Sequence, residues 1–121
     1  MERQAEVEQF LKGFIFKLDF WGVLIRTDRT NPKNVNTLLA LELKHAHIKE
    51  VLKALKPEDY SQGPLPDKLY HNSDMWVFGK IVKKREVYIK IQLGPPDSQV
   101  ICISFHFPEH IMNYPFKKVI V

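Results

Sequence analysis

The sequence predicts a small α+β domain, an antiparallel sheet of three to four strands with helices packed on one face. Three observations predict it. Two runs alternate strictly: Val87, Ile89, Ile91 and Leu93 oppose Tyr88, Lys90 and Gln92, and Ile101, Ile103, Phe105 and Phe107 oppose Cys102, Ser104 and His106. This is the period-two signature of half-buried strands. Two other stretches carry the helical period, Val7/Phe10/Leu11 and Ile48/Val51/Leu52/Leu55. Finally, 121 residues with 45% hydrophobic content suit one domain, 1–121, whose core needs no metal or disulfide support.

In chain order, Glu2 to Lys12 is expected to be helical, with Glu2, Glu6 and Glu8 toward its start where acids suit the helix dipole, and Gly13 as its stop. From Phe14 the period changes to Phe14, Phe16, Leu18 and Phe20, and an apolar run continues to Ile25, so Phe14–Ile25 is expected to be one extended or interrupted strand. The loop Arg26–Asn34 carries Arg26, Arg29 and Lys33 against one acid, a composition that suits either phosphate tracking or a solvated connection. Val35–Leu43 and Ala46–Leu55 read as helices, the first with Asn34 or Asn36 near its start and the second ended by Pro57. His45 and His47 lie in the joint between them, where alternate residues diverge, so they read as surface or capping histidines rather than metal ligands. Lys56–Pro64 reads as a short helical turn leading into a loop, Leu65–Ser73 as irregular, and Asp74–Val82 as a largely buried strand bounded by the basic turn Lys83-Lys84-Arg85.

The two alternating runs flank Gly94-Pro95-Pro96-Asp97-Ser98, which is turn chemistry, so they form a hairpin. Keeping both apolar faces together sets Gly94 against Val100, Tyr88 against His106, Lys90 against Ser104 and Gln92 against Cys102. One side of the sheet then holds a phenol, an ammonium and an imidazole close enough to act together. The same pattern also describes an ordinary solvated face.

A net charge of +4 favours polyanionic partners, RNA or an acidic protein. The single cysteine, Cys102, has no partner in the chain for a disulfide and suits a reducing cytoplasm. No apolar run approaches the ~20 residues that span a bilayer, and no leader segment is evident, so a soluble cytoplasmic protein without a membrane partner is expected. The ending His110–Lys118 mixes aromatic and basic residues, as either a base-stacking strip or a strap packed on the core would.

The order LKPEDYSQG, DMWVFGK, EVYIKIQL and VICISFHFPEH resembles the motility quorum-sensing regulator toxin (MqsR) family, which belongs with the RelE- and ParE-like toxins of bacterial type II toxin–antitoxin pairs. The similarity covers roughly the last two thirds of the chain and is strongest at Trp76, Val87–Ile91 and Ile103–Phe105. The resemblance implies a RelE-like fold and an endoribonuclease that cleaves mRNA to inhibit translation, with no cofactor. Its implied partners are the RNA substrate and a cognate, DNA-binding antitoxin, with the ribosome as a further candidate. Tyr88 matches the tyrosine of the family's VYLKI-like strand, and Lys56–Gln62 matches a segment that supplies a basic catalytic group there. Two positions depart from the pattern: Val77 replaces a polar residue after the tryptophan, and His106 replaces a lysine after Ser-Phe. The second exchanges a fixed charge for an imidazole, a group suited to acid–base chemistry.

Metal-independent RNA cleavage needs a base for the ribose 2′-hydroxyl, cations for the developing phosphorane charge and an acid for the leaving 5′-oxygen. The candidate catalytic residues are His106, Tyr88, Lys90 and His110, and the candidate RNA-binding residues are Lys56, Gln62, Lys80, Lys84, Arg85 and Arg29. His106 and His110 resemble half a zinc site, but with only Glu109 nearby no metal centre is expected. The competing class is a non-catalytic RNA- or protein-binding module built on the same basic surface.

Overall fold

The first helix, α1 (Arg3–Trp21), runs straight through the stretch expected to be a strand. Val7, Phe10, Leu11, Phe14 and Leu18 recur at helical spacing and are all buried, whereas Phe16 and Phe20 point outward, 76% and 72% exposed. The aromatic alternation therefore splits between two helix faces instead of lining one strand face. Gly13 does not stop the helix; a glycine there costs about 1 kcal/mol relative to alanine, less than burying Phe14 and Leu18 contributes at about 1.5–3 kcal/mol each. The stop is Gly22, whose φ of 82° is glycine territory and whose N–H bonds back to the Leu18 carbonyl at 2.8 Å.

The computed structural model describes residues 2–27 and 32–117. After α1 come β1 (Val23–Ile25), α2 (Lys33–Ala40), α3 (His45–Lys53), a 3-10 turn (Pro57–Asp59), β2 (Tyr60–Leu65), β3 (Met75–Val82), β4 (Arg85–Gln92) and β5 (Val100–His106). The sheet has five strands in the order β1-β5-β4-β3-β2, and β1 lies parallel to β5. It is therefore a mixed sheet and larger than the antiparallel one of three to four strands expected. The two extra strands are its edges. β1 is the surviving tail of the expected Phe14–Ile25 strand, and β2 falls where a loop was expected, on YSQGPL, whose proline an edge strand tolerates. His45 and His47 act as joint residues: the His45 Nε2 lies 3.1 Å from the Val23 carbonyl, and the His47 Nδ1 accepts the Lys44 N–H at 3.0 Å.

The central hairpin pairs Tyr88 with His106 and Lys90 with Ser104, as the alternation requires. Beyond Ser104 the register shifts: Ile91 pairs with Cys102 and Gln92 with Ile101, leaving Ile103 as a bulge. The expected Gln92–Cys102 pairing is thereby corrected. The bulge turns Cys102 into the core, where burial pushes its thiol up to about 12. That core lies on one face of the sheet. Trp76, Phe78, Val87, Ile89, Ile91, Val100 and Phe105 meet the α1 stripe and the buried Ile48, Leu52 and Leu55 of the α3 region. Among the described residues no helix is long and apolar enough to cross a membrane.

Candidate active site

The opposite face of the sheet is covered at its two ends and open between them. At one end the loop after β2 folds over Gln92, whose amide donates to the Asp67 carboxylate at 3.2 Å and to the Ser73 carbonyl at 2.8 Å. At the other end the segment after β5 returns across the sheet. The Tyr114 phenol lies against Gly79, where a side-chain carbon would stand 1.9 Å from its oxygen, and donates to Glu86 at 2.7 Å. Gly79 is thus required by close approach. Phe116 stacks on Tyr60 at 5.3 Å, so the expected choice between strip and strap falls on the strap.

Between these covers lies a cavity of about 430 Å³. Its floor is built from two cross-strand pairs of β4 and β5, Lys90–Ser104 and Tyr88–His106, with Gln62 reaching in from β2. Ser61 and Gln62 form the β2 side, while Lys33, Glu109 and His110 stand at the rim.

The Tyr88 and His106 rings stack, with centroids 5.0 Å apart and planes 14° from parallel. The His106 Nδ1 lies 2.9 Å from the Phe107 carbonyl, an acceptor, so this nitrogen is the donor of that bond. Burial, assisted by the Glu109 carboxylate, raises the Tyr88 phenol above its ordinary value, so it remains a neutral donor. At the rim the Lys33 ammonium meets Glu109 at 2.6 Å. That contact, with smaller contributions from His106 and His110, holds the Glu109 carboxyl below the usual glutamate range, so it is ionised.

All four candidate catalytic residues, His106, Tyr88, Lys90 and His110, line this cavity, as does Gln62. The other candidate RNA contacts do not. Lys80 points to the helix side, bonded to the Asp59 carboxylate at 3.0 Å and the Ala54 carbonyl at 3.1 Å. It is a structural lysine, because an even-numbered position on β3 shares the face of Trp76 and Phe78. Lys56 opens the 3-10 turn, its N–H bonded to Asp59. Lys84 sits in the β3–β4 turn, and the Arg85 guanidinium lies over the Phe107 ring at 4.0 Å. Arg29 lies outside the described residues.

Lys33, Ser61, Ser104 and Glu109 join the site without having been singled out as site residues. Ser104 was legible as the partner of Lys90. Lys33 had only the charge of its loop as a signal, and its placement depends on Asn34. The buried Asn34 amide donates to the Arg26 and Ile103 carbonyls and accepts the Phe105 N–H, each at 2.9 Å. These bonds satisfy the β5 edge beyond β1 and tie the first turn of α2 to the bulge beside His106. Among the described residues no group of three or more His, Cys, Asp or Glu has the geometry to hold a metal ion. No protein family, no curated protein and no solved structure matches the chain.

Proposed function

We propose that the protein is a RelE-like toxin of a type II toxin–antitoxin pair, a metal-independent endoribonuclease that cleaves mRNA in the cytoplasm and is restrained by a DNA-binding antitoxin. The observation that carries the nuclease reading is the Tyr88–His106 stack on the cavity floor, with Lys90 in the adjacent pair and His110 at the rim. The antitoxin part rests on the resemblance of the ordered segments from Leu55 to His110.

In this reading the Nε2 of His106 takes the proton of the ribose 2′-hydroxyl. The 2′-oxygen attacks phosphorus, a new P–O2′ bond forms and the P–O5′ bond breaks. His110 gives its proton to the departing 5′-oxygen, leaving a 2′,3′-cyclic phosphate and a 5′-hydroxyl. Lys90 supplies positive charge to the phosphorane-like transition state, and the neutral Tyr88 phenol donates a hydrogen bond to the ribose or phosphate. Gln62 and Ser61 offer an amide and a hydroxyl to a base edge.

The test is cleavage of a single-stranded RNA in excess chelator by the wild type and by His106→Ala, both shown to be folded by circular dichroism. Cyclic-phosphate ends produced by the wild type and reduced about 10²–10⁴-fold in the variant are expected. Equal cutting by both removes His106 from the chemistry. No cutting by either, with or without ribosomes, leaves the binding-module reading in its place.

A further inference from the structure

Lys33 and Glu109 are 76 positions apart in the chain and meet at the cavity rim, Nζ to Oε1, at 2.6 Å. The lysine arrives on a fixed backbone. Its own carbonyl accepts the Thr37 hydroxyl at 2.9 Å, and its neighbour Asn34 is buried and clamped to the β5 backbone on both sides of Ser104. The carboxylate arrives on the turn that follows Phe107 and Pro108, and it stands near enough to Tyr88, His106 and His110 for its charge to be felt by the first and stabilised by the other two. An anionic oxygen group therefore already stands amid the cations and donors at this rim. A phosphodiester is also a monoanion that presents two oxygens, and the same groups attract it for the same reason.

We propose that Lys33 is the phosphate-binding cation of this site and that Glu109 is its internal counter-ion, a carboxylate that an incoming phosphodiester displaces. The proposal rests on the reading of the cavity as an RNA site. The pair is built to be displaced. Both side chains are about half exposed, 44% and 54%, and such pairs contribute little in water, so a ligand that also contacts Lys90 and the histidines outcompetes one carboxylate. Exchange needs no backbone movement at Lys33, only rotation of the Glu109 side chain into solvent. With RNA absent, the counter-ion keeps the rim from presenting an uncompensated cluster of positive charge to other anions.

The experiment measures fluorescence anisotropy of a short labelled 2′-O-methyl RNA, which binds but lacks the attacking hydroxyl. The proteins are the wild type, Glu109→Gln, Lys33→Gln, the double variant, and Glu8→Gln as a control for loss of one negative charge at an exposed position of α1. Glu109→Gln is expected to tighten binding about two- to fivefold, well beyond Glu8→Gln. Lys33→Gln is expected to weaken binding and to lower the slope of log affinity against log salt by about 0.7. In the Lys33→Gln background, Glu109→Gln should do no more than Glu8→Gln does. Tightening equal to that of Glu8→Gln, or tightening that persists without Lys33, overturns the counter-ion assignment. Cleavage of unmodified RNA run in parallel separates the two readings: Lys33-dependent tightening without any cleavage keeps the counter-ion and removes the nuclease, and cleavage without such tightening does the reverse. A wild type that does not bind the oligonucleotide overturns the proposal.

Discussion

Phe105 and His106 are neighbours in the chain and stand on opposite faces of β5, one sealed in the core and the other on the floor of an open cavity. Lys80 and Lys90, on the adjacent strands β3 and β4, make the same contrast with like side chains. Lys80 faces the helices and is tied to a carboxylate and a carbonyl. Lys90 faces the cavity, is only half-exposed, and has no ion-pair partner among the described residues. On the closed face the Lys80 charge is neutralised locally by Asp59, in keeping with the cost of burying an unpaired ion. On the open face an ammonium stands beside an imidazole and a phenol, the arrangement on which the proposed RNA site rests.

The sharpest way to break this contrast is to cut both neighbours back to alanine. Phe105→Ala should lower unfolding stability by about 3–5 kcal/mol, the usual loss for a buried phenylalanine, whereas His106→Ala should stay within about 1 kcal/mol of the wild type. Urea titrations of the two decide it, and equal losses would erase the distinction between the faces. Next in size is Gly79→Ala. Its new methyl would collide with the Tyr114 phenol, so a loss of about 1–3 kcal/mol is expected, recovered in part when Tyr114→Ala is made in the same chain. The lysines come third. Lys80→Met leaves the Asp59 carboxylate with the Lys56 N–H but without its cation and should cost about 1–2 kcal/mol, while Lys90→Met should leave thermal stability unchanged or raised and weaken RNA binding.

The smallest effect concerns pH and the loop over Gln92. Hydrogen bonds, chiefly from the Tyr70 backbone N–H and then from the Gln92 amide, hold the Asp67 carboxyl below its ordinary 3.8. The folded state therefore releases this proton more readily than the unfolded chain. The stabilisation is full above pH 3.8 and is lost as the pH falls through the depressed folded value. Asp67→Asn should remove that part of the acid slope in denaturation followed between pH 2 and pH 6, and an unchanged slope would show that the loop bonds are not made in solution.

The cavity floor was legible because strand alternation is a strong local code: once Val87–Leu93 and Ile101–Phe107 are paired by their apolar faces, Tyr88 must oppose His106. The Ile103 bulge was not legible, since an extra residue in a ladder leaves no compositional mark on an isoleucine. The backbone groups around it are bonded by Asn34, which reaches β5 from far away in the chain. The α1 error has a related cause. Phe14, Phe16, Leu18 and Phe20 satisfy a period of two, and only the buried Val7–Phe10–Leu11 set upstream shows that a helical stripe continues through Phe14 and Leu18. Strand β2 was hidden because its pairing is irregular and its sequence carries Gly63 and Pro64, residues that punctuate loops everywhere except on sheet edges. Lys33 and Glu109 met through tertiary structure alone.

The Asn34 clamp also has a bearing on the order in which the molecule assembles. Its bonds to Ile103 and Phe105 close loops spanning 69 and 71 positions, and β1 enters the sheet across a similar distance. The β3–β4–β5 meander, by contrast, is stitched from near neighbours. Contacts of long sequence separation must offset a larger loop-closure entropy before they form, so local hairpins are expected to precede them. By this argument the stacked Tyr88–His106 pair is expected to form early and the rim that carries Lys33 late. A chain caught between these stages would possess the stacked floor of the cavity but lack the cation at its entrance, so that completion of the cavity becomes a final, long-range event in the maturation of the fold.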